Sequence, residues 1–102
     1  MIAQFTLIPL GTKNDSLSKT LSKALMPIVE SGLNYKVGPM GTTVQGDWYQ
    51  IMTLINRCRK TILRECDRVE ILITIDDRKN SENPIENKVK SVEKKMGVKL
   101  KK

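Results

Sequence analysis

The sequence predicts an α+β fold in which four strands form one antiparallel sheet, two helices cover a single face of it, and a third helix follows. Three observations support this prediction. Apolar and polar residues alternate in residues 2–8 and 68–77, two longer segments carry apolar residues at helical spacing, and a Gly-Pro turn separates two short β-branched runs. The resulting order, β-α-β-β-α-β, is the split arrangement of ferredoxin-like domains.

The first half of the chain supplies a strand, a helix and a hairpin. Pro9 and Gly11 predict the end of the first strand. The helix that follows is indicated by apolar residues at helical spacing, namely Leu17, Leu21, Ala24, Leu25 and Ile28. Asp15 or Ser16 can cap it, Gly32 is placed as its C′ glycine, and Pro27 is expected to kink or loosen its last turn. Residues 35–40 and 42–47 then predict the two strands of the hairpin.

The second half supplies a helix, a strand and a final helix. Asp47 is the predicted N-cap of the second helix. The predicted inner stripe of that helix consists of Trp48, Ile51, Met52, Ile55 and Ile62. Residues 68–77 form the most apolar strand, which predicts a central place in the sheet. Asn83 and Pro84 then predict a helix start. Its narrow apolar stripe is Ile85, Val89, Val92 and Met96.

Length and composition restrict the possible functions. The 102 residues predict a single domain, and no apolar run approaches the ~20 residues of a membrane span. The N-terminus has no basic region typical of a signal peptide, so a cytoplasmic protein is expected. The absence of histidine excludes histidine catalysis and argues against an ordinary zinc site. No cofactor is expected, and Cys58 is predicted to pack inside a helix rather than to react.

The formal charge of +7 is concentrated at one end of the chain. Seven lysines lie in residues 88–102, where Glu93 is the only carboxylate. Such a tail can contact phosphates without sequence specificity, so specific nucleic-acid binding is not expected. A nucleic-acid-binding module with this basic C-terminus remains an alternative, as does a purely structural module.

The predicted topology leaves one face of the sheet without helices. The residues expected there are Ile2, Thr6, Ile8, Val44, Leu72 and Thr74. This set is too apolar to face water comfortably, which predicts a homo-oligomer that buries it. The alternative is that the third helix alone folds over this face.

The hairpin sequence "PMGTTVQGDW", residues 39–48, is the candidate site. Gly38 and Gly41 permit close approach of another group to the backbone. Hydroxyl and amide groups follow at Thr42, Thr43 and Gln45. The carboxylate of Asp47 comes next, and the apolar candidates are Met40 and Trp48. From the residues alone, a simple turn and a binding site are equally well supported. For Trp48 the sequence favours a core position, with a stacking surface for a flat ligand as the alternative.

Two carboxylates end the last strand, at Asp76 and Asp77, beside Arg78. Adjacent strand residues point to opposite faces, so an ion pair or a turn cap is predicted there rather than a shared acid–base or metal site. An acylphosphatase-like enzyme is disfavoured, because the early loop "GTKNDS" contains a lysine but no arginine.

Over nearly its full length the chain resembles the small thiamine-binding proteins (YkoF-like). The resemblance is carried by "AQFTLIPLG", "SGLNYKVGPMGTTVQGDW", "IMTLINRCRK", "RVEILITIDDR" and "ENKVKSVEKKMG". It implies that residues 1–102 form one ferredoxin-like domain that binds thiamine or its hydroxymethylpyrimidine moiety without catalysis. It also implies a homodimer or homotetramer with pockets close to the subunit contacts.

The resemblance further implies that the segment "GTTVQGD" lines the pocket. The roles that follow are hydrogen bonding for Thr42, Thr43 and Gln45, charge for Asp47 against the cationic thiazolium, and packing for Met40, with Trp48 as a second wall. Relatives usually carry an acidic residue where this chain has Gln45, and often a histidine where it has Arg59. A change in affinity or ligand preference is therefore expected.

Overall fold

The computed structural model describes residues 1–12, 17–79 and 85–101, with only the backbone of Thr12. The elements in these ranges are β1 (Ile2–Thr12), α1 (Leu17–Glu30), β2 (Asn34–Gly38), β3 (Gly41–Gln45), α2 (Trp48–Leu63), β4 (Cys66–Asp76) and α3 (Ile85–Met96). They form an antiparallel sheet of order β2-β3-β1-β4, which confirms the predicted ferredoxin-like fold. The predicted caps at Asp15 or Ser16 and at Asn83 and Pro84 lie outside the described residues.

The prediction that the most apolar strand is central was wrong. β4 lies at the edge of the sheet and pairs only with β1, from Ile2 opposite Asp76 to Thr12 opposite Cys66. Strand order depends on long-range connections: the split topology puts β1 and β3 in the middle whatever the composition of β4. An apolar edge strand of eleven residues presents unpaired backbone groups, a surface that other chains can pair with.

The core lies between the helices and the face of the sheet that carries Ala3 and Phe5. Val44 is directly opposite Ala3, shares its face and is completely buried, so its predicted place on the open face was wrong. The predicted strand phase was shifted by one residue, and a one-residue shift moves a side chain to the other face. Cys58 packs in this core as predicted, and burial raises the pKa of its thiol to about 11, which keeps it neutral.

A capping box fixes the start of α2. The carboxylate Oδ1 of Asp47 accepts from the backbone N–H of Gln50 at 2.7 Å, and the side-chain Oε1 of Gln50 accepts from the N–H of Asp47 at 3.0 Å. The predicted N-cap is thereby confirmed. Ile51, Ile55 and Ile62 of the predicted stripe are buried, and Met52 packs beside them.

Trp48 is the exception in that stripe, because its side chain is 59% exposed. It is the first residue of α2, and helical side chains lean toward the N-terminus, which directs the indole away from the following turns of the helix. At the other helix, α1 continues through Pro27 to Glu30, and Gly32 adopts φ +74° as expected of a C′ glycine.

α3 crosses one end of the open face. Asn34, Gln45, Ile2 and Asp76 form one row across the four strands. The amide of Asn34 donates to Glu86 at 3.3 Å, and Lys88 forms an ion pair with Asp76, as predicted for that strand end. Ile85 is buried, but Val92 and Met96 remain exposed. α3 therefore anchors at its first turn and leaves most of the open face uncovered.

The two carboxylates at this anchor have lowered pKa values. A hydrogen bond from Lys88 lowers the pKa of Asp76, and backbone N–H donation at the start of α3 lowers that of Glu86, followed by the bond from Asn34. Both carboxylates are therefore charged at neutral pH.

Candidate functional site

The β2–β3 hairpin is held against β1 by the antiparallel pairing of β3 and, at its turn, by a side-chain hydrogen bond. Gly38 pairs with Gly41, and the hydroxyl of Thr6 donates to the carbonyl oxygen of Met40 at 2.9 Å. A Cβ atom on Gly41 would lie 2.9 Å from that hydroxyl oxygen and 3.0 Å from the carbonyl oxygen of Phe5. Glycine is thus required at position 41 for the hairpin to lie this close to β1.

A cavity of about 280 Å³ opens on the helix side of this hairpin. It lies between α1, β1 and the turn that joins β2 to β3. The residues around it are Phe5, Thr6, Leu7, Leu21, Leu25, Val37, Gly38, Pro39, Met40, Gly41 and Thr42. Most of these are apolar, so the cavity has the hydrophobic walls and few polar groups typical of small-molecule sites.

Thr42 is one of two threonines that line this cavity. The residue is only 4% exposed, and its hydroxyl makes no hydrogen bond with the described part of the chain. No fully buried side-chain oxygen among the described residues lacks a partner, so this hydroxyl keeps some exposure. A hydroxyl can donate one hydrogen bond and accept two. Met40 contributes to the same cavity from the turn, where it is 80% exposed. Two of the predicted site residues therefore meet at one cavity.

Thr43 and Gln45 lie on the opposite face of the sheet. Thr43 stands in a row with Lys36, Gln4 and Thr74, and the side-chain oxygen of Gln45 accepts from the amide of Asn34 at 3.2 Å. Because side chains alternate along a strand, Thr42 and Thr43 cannot face the same ligand within one subunit.

Asp47 and Trp48 occupy a third place, at the start of α2. β3 alone separates them from the hairpin turn, and at about 3.3 Å per residue its five residues span roughly 13 Å. The Asp47 carboxylate is also engaged in the capping box. The six predicted site residues are thus divided among the cavity, the open face and the start of α2.

The sequence pattern missed the α1 side of the cavity. Leu21 and Leu25 were recognised only as members of a core stripe, and their i, i+4 spacing was the available signal. These two leucines face a cavity rather than a filled core because of the distance between the hairpin and α1. The spacing of residues along one helix does not predict that distance.

Two further findings concern metal-ligating side chains and helix length in the described ranges. No three metal-ligating side chains come together within residues 1–12, 17–79 and 85–101. Among the helices of these ranges, none combines the length and apolarity needed to cross a membrane.

Comparison with known proteins places the chain in a family. The family described as thiamine-binding protein matches residues 3–93, and the chain belongs to it. A UPF0045 protein of Methanocaldococcus jannaschii is 36% identical over 92 residues, which cover 90% of this chain and 91% of the relative. A UPF0045 protein of Methanothermobacter thermautotrophicus is 31% identical over 96 residues, covering 92% and 97%.

Solved structures agree with the fold. A hypothetical protein of M. jannaschii superposes with a TM-score of 0.79 at 36% identity, covering 89% of this chain and 93% of the other. A Thermotoga maritima protein, named as a candidate for thiamine biosynthesis or salvage, superposes with a TM-score of 0.76 at 24% identity, covering 89% and 96%. At that identity the likeness shows the common fold.

Proposed function

We propose that this member of the thiamine-binding protein family binds thiamine through its hydroxymethylpyrimidine ring, without catalysing a reaction, in the cavity beside the β2–β3 hairpin. The observation that carries the proposal is Thr42, a residue only 4% exposed that lines an apolar cavity and whose hydroxyl has no hydrogen-bond partner in the described residues. Family membership and the salvage description of the T. maritima neighbour support the same ligand class.

The size of the cavity favours one ring over two. Its 280 Å³ lies just below the roughly 300–1,000 Å³ of pockets for drug-sized ligands. A methylated aminopyrimidine offers an apolar edge to Leu21 and Leu25, and ring nitrogens and an amine to Thr42. Among the described residues, no carboxylate lines the cavity to balance the cationic thiazolium of thiamine. From the described lining we expect free hydroxymethylpyrimidine to bind at least as well as thiamine.

The remaining predicted ligand residues would act elsewhere. Thr43 and Gln45 lie on the open face, so any ligand contact they make belongs to a surface completed by another copy of the chain. Asp47 and Trp48 keep their predicted roles only toward a ligand at the start of α2. Cytoplasmic location remains part of the proposal, since both cysteines are free, as in a reducing compartment.

The nucleic-acid alternative has less support. Ferredoxin-like RNA binders stack bases on aromatic side chains of the two central strands. The open-face residues of β1 and β3 near the hairpin are instead Gln4, Thr6, Thr43 and Gln45.

The ligand proposal is tested by titration calorimetry. Hydroxymethylpyrimidine and thiamine are expected to give saturable heat, whereas the isolated hydroxyethylthiazole moiety gives none, because the pyrimidine ring fills the cavity. The control is the folded state of the same sample, verified by circular dichroism. Absence of heat with both pyrimidine compounds would overturn the proposal.

We further propose that the chain assembles as a homodimer or homotetramer through the open face and the edge of β4. The single chain is less compact than is usual for its length, because its radius of gyration is 15.3 Å and that of a compact chain of 100 residues is about 13 Å. Leu72 is 52% exposed on this face, and Val92, Met96 and Val98 leave an apolar surface along α3 and the tail. A second copy would bury these groups.

Light scattering tests the assembly. The wild-type protein is expected to show a multiple of 11.6 kDa, and Leu72→Asp is expected to dissociate it at micromolar concentration because the carboxylate would enter the interface. Val29→Asp, an exposed apolar residue of α1 on the helix side, is the matched control and should leave the mass unchanged. A wild-type mass of one chain contradicts the proposal.

A further inference from the structure

A second groove, of about 410 Å³, runs between α1 and α2 on a different side of α1 from the cavity. Each helix contributes residues at i, i+3, i+4 and i+7, the spacing of one helical face. These residues are Lys23, Met26, Pro27 and Glu30 from α1, and Arg57, Lys60 and Thr61 from α2 together with its C-cap Arg64. Four cationic side chains and one carboxylate therefore surround this groove.

Ion pairs close both ends of the groove. Lys23 pairs with Glu65 at one end, where the same hydrogen bond lowers the pKa of Glu65 and keeps it ionised. Arg57 pairs with Glu30 at the other, Nη2 to Oε2, at 3.2 Å. Lys60 and Arg64 also line the groove and have no carboxylate partner in the described part of the chain. The groove thus carries two uncompensated positive charges.

We propose that this groove binds a small organic phosphate. Lys60 and Arg64 contact the phosphate oxygens, and the apolar surface of Met26 and Pro27 contacts the organic part. Arginine presents a planar fork that matches phosphate geometry, and lysine adds a mobile point charge. The hydroxyl of Thr61 is not available, because it donates to the carbonyl oxygen of Arg57 at 2.9 Å. The proposal is independent of the pyrimidine site.

A purely structural explanation exists for the α2 cations alone. Lys60 lies in the last turn of α2, where a positive charge interacts favourably with the helix dipole. That explanation does not require the facing stripe of α1, with its exposed Met26, and it predicts no saturable anion binding. The two explanations therefore differ in what a titration shows.

The test uses inorganic pyrophosphate and ADP as probes, titrated calorimetrically into the full chain at 50 and 200 mM NaCl. The double variant Lys60→Gln/Arg64→Gln is expected to weaken both probes about tenfold or more, since each charge-assisted hydrogen bond contributes on that order. The matched control, Lys99→Gln/Lys101→Gln, removes the same charge from the tail and should change either affinity less than about twofold. Met26→Gln should weaken ADP several-fold and leave pyrophosphate unchanged.

Three results would overturn the proposal. The first is no saturable heat with either probe, and the second is an equal loss of affinity in the groove and tail variants. The third is binding of pyrophosphate without binding of ADP, which would show that the groove does not accept the organic part of the ligand. Thermal unfolding of each variant verifies that it is folded. Hydroxymethylpyrimidine titrated into the groove variant should bind as in the wild type, so failure of one site is distinguishable from failure of the other.

Discussion

Replacing Thr42 with valine is expected to weaken hydroxymethylpyrimidine binding about 10- to 100-fold, because a hydrogen bond in a nearly buried site is lost at a cost of about 1–3 kcal/mol. Valine has almost the shape of threonine and lacks only the hydroxyl. The cavity walls, Phe5, Leu21 and Leu25, are unchanged by the substitution. The loss therefore measures the hydrogen bond itself, through the dissociation constant in a calorimetric titration.

The chain offers a matched control one residue away. Thr43→Val makes the same chemical change on the opposite face of the sheet, at a half-buried position away from the cavity, and should alter the affinity less than about twofold. If Thr43→Val instead abolishes binding and Thr42→Val does not, the ligand lies on the open face. The cavity proposal would then be wrong, and the role that the family resemblance implies for Gln45 would gain support.

The contrast between these two threonines also shows what could be predicted from the sequence. The alternation of polarity, the helical spacing and the turn residues were sufficient for the fold, the cap at Asp47 and the left-handed glycine at position 32, because each depends on neighbours in the chain. The position of β4 at the sheet edge depends on pairing between distant segments, and its apolar composition was misleading.

The candidate site was harder to predict for the same reason. The hairpin was correctly identified as a turn, but its side chains divide between two faces, and the division depends on the register of β3 against β1. Composition provides hydroxyl groups at positions 42 and 43 without indicating which of them meets a cavity. The exposed indole of Trp48 is a similar case, since helical spacing places it on the inner stripe but does not show that the first residue of the helix stays uncovered.

Replacing Val44 with aspartate is expected to prevent stable folding. The residue is completely buried between Ala3, its partner on β1, and the helices. An unpaired charge at such a position costs about 3–5 kcal/mol or more. The total stability of a domain this size is only about 5–15 kcal/mol. Thermal unfolding followed by circular dichroism is expected to show no cooperative transition or one displaced by tens of degrees.

Two further variants keep the experiment informative if Val44→Asp yields no folded protein. Val44→Thr buries a hydroxyl in nearly the same volume and should lower the free energy of unfolding by about 1–3 kcal/mol. Gln45→Asp places the charge one residue along, on the open face, and should cost less than about 1 kcal/mol. Equal losses at positions 44 and 45 would contradict the register of β3, and with it the assignment of Thr42 to the cavity, because a strand shifted by one residue exchanges its two faces.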